Sequence, residues 1–159
     1  MTPLEELRQI YEEYDQKARK VRSKASRFAG AFNLGDDPRK HGCHEDFYDN
    51  VGQWVDTFLK TRPTEQEVLS AVHWILEAAD ANRDTDVYWM MYAAQSHVKA
   101  LIPRIPREAC RKLLEWYEET YPALDRLPAQ QEIVRQMRKH CGAADRKNGG
   151  LFGFLRRTK

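Results

Sequence analysis

Three of the five histidines and two of the three cysteines fall in two short clusters, and these are the residues best suited to chemistry. One cluster is Arg39-Lys40-His41-Gly42-Cys43-His44-Glu45-Asp46, and the other is His140-Cys141. Imidazole nitrogen and thiolate sulfur are zinc ligands, so His41, Cys43, His44 and Cys141 have the donor types of a tetrahedral site. Their spacing fits no compact ligand pattern, and nothing in the sequence joins the two clusters. A polar loop explains the first one equally well, with Glu45 and Asp46 favouring a helix start. We assign no metal ligand, and no motif implies a cofactor.

Nucleophilic and phosphate chemistry have less to stand on. Ser70, Ser96 and Cys110 fall mid-helix, with no glycine-rich elbow and no base with its orienting partner. GxxxxGK[ST], GxGxxG and HExxH are all missing. Asp80, Asn82, Asp84 and Asp86 lack the order of a calcium loop, and Asp84 and Asp86 read as helix capping. His73, Trp74, Tyr88, Tyr92 and His97 have the types of a small-ligand pocket, against the plainer reading of hydrogen-bonded core histidines among aromatics. No catalytic residue is assigned, and the chain reads as non-enzymatic.

Charge is more informative. The net charge is only +2, but residues 17–27 carry Lys17, Arg19, Lys20, Arg22, Lys24 and Arg27 with no acid. Residues 135–159 carry eight cations against Asp145 alone, which leaves the rest of the chain at −11. An acidic body thus bears two basic segments. In the first of them Lys17, Lys20, Arg22, Lys24 and Arg27 are the candidates for binding an anionic partner. They follow Glu5, Glu6, Glu12, Glu13 and Asp15, an order that the helix dipole also favours. A stripe of this kind can lie along phosphates, although no aromatic residue within 17–27 is placed to stack on bases. The second segment ends in Asn148-Gly149-Gly150, then Leu151-Phe152-Gly153-Phe154-Leu155, then Arg156-Arg157-Thr158-Lys159. Four large apolar residues beyond a glycine hinge call for burial. Leu151, Phe152, Phe154, Leu155, Arg156 and Arg157 are therefore the candidates for a protein contact, in cis or in trans. The apolar stretch is too short to anchor the chain stably in a membrane.

The elements that must position these residues are helical. Leu4, Leu7, Tyr11, Tyr14, Ala18, Val21, Ala25 and Phe28 alternate steps of three and four, which predicts a first helix from Pro3 to Phe28 with one apolar seam, capped by Thr2. Gly30 is expected to end it. Start signals then recur at Thr64, Thr85, Pro106 and Pro128, where a side-chain oxygen or a missing N–H relieves the unpaired first turn. Apolar periodicity fills in helices over about 45–60, 65–81, 86–101, 107–120 and 129–141, the last stopped by Gly142. The fourth is apolar almost all round and belongs in the middle of a bundle. No run alternates with a period of two. Pairing 64–105 with 106–147 matches punctuation but few residues, and no tetratricopeptide pattern is present.

With 42% hydrophobic and 31% charged residues, composition is that of a globular chain, and no apolar run approaches the roughly 18–20 residues of a membrane span. The acidic, amphipathic opening is unlike a secretory signal, and the odd cysteine count lacks a CxxC, so a cytoplasmic protein is expected. The sequence thus predicts an all-α compact antiparallel bundle of about six helices, of a kind that can be built from helical hairpins. Residues 1–147 form the domain and 148–159 its tail. The function expected is protein interaction, with another protein or another copy of the chain. A nucleic-acid accessory role through the basic first helix and the C-terminal cations is the alternative.

Overall fold

A computed structural model describes the backbone of residues 1–32, 42–81 and 83–142, and the side chains of these except 24–32 and 83–88. Six α-helices form it: α1 Pro3–Phe32, α2 Cys43–Lys60, α3 Glu65–Ala81, α4 Arg83–Leu101, α5 Arg107–Thr120 and α6 Pro128–Cys141. Short 3-10 turns lie at Ile102–Arg104 and Ala123–Asp125. There is no strand among the described residues, and the expected all-α class and six helices are found. The helices fall into two compact units, one ending at Thr64 and the other starting at Glu65.

The first unit is the antiparallel hairpin of α1 and α2. A capping box opens α1: Glu5 accepts the Thr2 N–H at 2.6 Å and the Thr2 hydroxyl accepts the Glu5 N–H at 3.3 Å. The Thr2 N–H and hydroxyl hold the Glu5 carboxyl below its usual range. The predicted seam is the buried one, with Leu7, Tyr11, Tyr14 and Ala18 inside and Leu4 and Val21 half-buried at its ends. Tyr11 meets Phe47 of α2 edge-on at 4.8 Å, and Tyr14 lies 4.7 Å from Phe47 and 5.7 Å from His44. The indole of Trp54 reaches back to Pro3.

The second unit holds α3 to α6. Its core joins Val68, Val72, Ile75 and Leu76 of α3 to Met90, Met91, Val98 and Leu101 of α4, Leu113, Leu114 and Tyr117 of α5, and Ile133, Val134 and Met137 of α6. Helix α4 packs on both α3 and α6, the internal place its composition called for. One of its aromatics departs from the all-round apolar expectation: Tyr92 is 53% exposed.

Two boundaries differ from the sequence reading. Helix α1 runs through Gly30 to Phe32, because a single glycine weakens a helix interior by about 1 kcal/mol without breaking it. Helix α4 begins at Arg83 rather than after Thr85. The other ends agree within two residues, and Gly142, at φ 69°, supplies the left-handed cap of α6.

Candidate functional site

Of the charged residues singled out as candidate contacts, the structure describes the side chains of Lys17, Lys20 and Arg22, all on α1. Contacts along the hairpin set a register in which Pro3 lies level with Trp54 and Tyr14 with His44. Cys43, the first residue of α2, is therefore level with about Asp15. The rest of α1, from Lys17 to Phe32, extends beyond the start of α2 by roughly 24 Å at 1.5 Å per residue. The basic stretch begins where the pairing with α2 ends.

Lys17, Arg19 and Lys20 are exposed and Arg22 is half-buried. Arg19 pairs with Asp15 at 2.9 Å on its own helix. Among the described residues no carboxylate pairs with Lys17 or Lys20. Because α1 continues to Phe32, it has no basic residue in its last turn. The helix dipole acts only on charges within the terminal turn, so it does not account for these mid-helix cations. The side chains of Lys24 and Arg27 lie outside the described residues.

Toward the N-terminus the exposed side of α1 turns acidic. Glu6, Gln9, Ile10 and Glu13 of α1 and Asn50, Gln53, Trp54 and Thr57 of α2 line a shallow groove along the hairpin. Gln9 donates to Glu13 at 3.1 Å across one turn. Acidic and amide side chains form its rim, and Ile10 and the edge of Trp54 its floor.

Among the described residues the metal and nucleophile candidates do not assemble into a site. Cys43 and His44 are both buried at the head of α2, with His44 against Tyr14. His140 binds the Ile105 carbonyl through Nε2 at 2.7 Å, which fastens α6 to the turn after α4. Cys141 lies against Cys110. Burial, and then the neighbouring Cys141 thiol, push the Cys110 thiol up from 9.0 to about 12. A buried, protonated thiol is a poor nucleophile, and the sequence reading of Cys110 as a core residue accords with this. No three His, Cys, Asp or Glu residues converge as a metal set among the described residues; His41 lies outside them.

The aromatic pocket drawn from the sequence does not form as drawn. His73 stacks on Trp116 of α5, with ring centres 4.1 Å apart, and its Nδ1 lies 3.4 Å from Glu77. Tyr92 faces solvent while His97 of the same helix is buried, so the two do not line one cavity. The side chain of Tyr88 is outside the described residues, as are Leu151, Phe152, Phe154, Leu155, Arg156 and Arg157. Sequence reasoning missed Gln130, which is only 2% exposed. Its Oε1 accepts the Leu127 N–H at 3.0 Å at the start of α6. The available signal was a glutamine two residues after Pro128, at the third position of the helix.

No protein-family model, curated protein or solved structure matches the chain. No helix among the described residues is long and apolar enough to cross a membrane.

Proposed function

We propose that the chain acts by binding, as a protein-interaction module, and that the basic half of α1 is one of its contact surfaces. The observation that supports this is the placement of Lys17 and Lys20. Both are exposed on a stretch of helix that outruns α2, and neither is neutralised by a carboxylate among the described residues. Capping does not require such charges. An acidic partner surface would be attracted to them over about a Debye length, roughly 8–10 Å near physiological salt. The tail from Leu151 to Arg157 is a second contact surface on sequence grounds: a hinge followed by apolar residues and cations. Protein is favoured over nucleic acid because residues 17–23 offer no aromatic side chain for base stacking.

The test is affinity capture from the native host with the full chain, a Lys17→Glu/Lys20→Glu variant and a chain ending at Asn148. A protein retained by the wild type and lost from the charge-reversed variant supports the reading. Equal capture by all three overturns it. Salt-dependent binding of an oligonucleotide that disappears in the charge-reversed variant, with protein capture unchanged, replaces it by the nucleic-acid role.

A further inference from the structure

We infer that an exposed flank of α1 is a self-complementary docking surface for a second copy of this chain, paired antiparallel along the helix. The inference rests on the binding role proposed above and names the partner. Residues 6, 9, 13, 17 and 20 follow one another by three or four, so they form one stripe on a helix. That stripe is Glu6, Gln9, Glu13, Lys17 and Lys20, all exposed, on the flank of α1 that borders the groove with α2 and outside the buried seam of Leu7, Tyr11, Tyr14 and Ala18. Its first half is acidic and its second half basic. In sequence the same steps continue to Lys24 and Arg27.

A stripe that changes sign halfway along is complementary to itself when turned end over end. A two-fold axis level with Gln16 and Lys17 places Glu13 opposite Lys20 of the other copy and Lys20 opposite its Glu13. The same register sets Gln9 level with position 24 and Glu6 level with position 27, both basic in the sequence. Glu13 and Lys20 then meet opposite charges and Glu6 a basic position, symmetry repeats each contact, and the two copies of Lys17 lie beside the axis, where they are solvent-exposed and spread apart. Parallel pairing sets like against like and is disfavoured along the whole length. The groove beside Glu6 and Glu13 adds Asn50, Gln53 and Thr57 as polar partners for an incoming lysine, over a floor of Ile10 and Trp54. The contact is isologous, as in most homodimers. Solvent-exposed ion pairs are individually weak, so the dimer is weak and sensitive to salt.

Sedimentation of the purified full chain tests this without any other partner. The wild type is expected to pass from monomer to dimer with concentration at ~20 mM NaCl and to return to monomer at ~500 mM, where the Debye length falls to about 4 Å. Glu13→Lys and Lys20→Glu, each alone, place like charges face to face and should remain monomeric. Mixed in equal amounts they should form a heterodimer. The two substituted positions then face each other with opposite charges, and the unchanged Lys20 of the first variant meets the unchanged Glu13 of the second. Circular dichroism should show native helicity for both, because the two positions are exposed. A wild type that stays monomeric at low salt overturns the inference. So does a mixture that fails to associate, or a single variant that dimerises like the wild type. A monomeric chain that still captures a foreign protein through Lys17 and Lys20 refutes the self-docking alone and leaves the binding role standing.

Discussion

The indole N–H of Trp54 donates to the carbonyl oxygen of Pro3 at 3.0 Å, tying the first turn of α1 to the middle of α2. The same ring stacks on Phe58 at 4.7 Å, one turn further along α2. Trp54→Phe keeps the stacking and removes the donor. It should cost about 1–2 kcal/mol, one net hydrogen bond plus the smaller ring, read from urea unfolding. Amide exchange should quicken in the first turn of α1. An unchanged midpoint would mean that the Pro3 contact contributes nothing.

Arg62 ends α2 in the left-handed region, at φ 55°, with its N–H on the Leu59 carbonyl at 3.2 Å. This is the position after the C-cap, where glycine is favoured because a Cβ there costs about 1–2 kcal/mol. Arg62→Gly should therefore stabilise the chain by up to about 1 kcal/mol, the gain reduced by the added freedom of the unfolded state. The thermal midpoint should rise, and a fall would show that the arginine side chain stabilises the turn more than its backbone strains it.

Glu118 of α5 and Arg138 of α6 pair across the second unit, each with about a fifth of its side chain exposed. Glu108–Arg111 and Glu132–Arg135, by contrast, are pairs along a single helix with an arginine about half or more exposed. Glu118→Gln should cost about 1–2 kcal/mol, because it leaves a partly desolvated guanidinium without its counter-charge. Glu108→Gln should cost under about 0.5 kcal/mol. Equal costs in urea titrations would remove the distinction.

How far the sequence reaches depends on the range of the interaction. The seam from Leu7 to Ala18 was readable because burial on a helix repeats every three or four residues, and Gly142 because a helix end needs a left-handed residue. The basic stretch from Lys17 was visible as composition, but its meaning was not. With α1 ended at Phe28 the dipole reaches only Arg27 of these cations, and with the true end at Phe32 it reaches none; the register with α2 then shows that the stretch outruns the hairpin. His73 on Trp116, His140 on Ile105 and Cys110 against Cys141 each join residues more than 30 positions apart, and no local pattern encodes such contacts. Gln130 lies between these cases: its cap is local, and its burial against Tyr117 is not.

Alkaline pH should destabilise the chain through three buried acids. Burial raises the Cys110 thiol from 9.0 to about 12, and raises the phenols of Tyr11 and Tyr117 well above their usual 10. For each, the folded state holds a proton that the unfolded state releases. The unfolded state therefore binds fewer protons above its own pKa, and stability falls as pH rises. The thiol contribution is complete below pH 9 and is lost between pH 9 and about 12, and the phenols add to the loss above pH 10. Denaturant midpoints should thus stay level up to about pH 8.5 and then decline with increasing slope. Cys110→Ala should lower stability near neutral pH by about 1–2 kcal/mol, through the small cavity it leaves, and should flatten the first part of that decline. Iodoacetamide at about pH 8, below the thiol's unperturbed range, should label Cys110 only on unfolding. Labelling of the native chain at the rate of a free thiol would show that Cys110 is not buried as described.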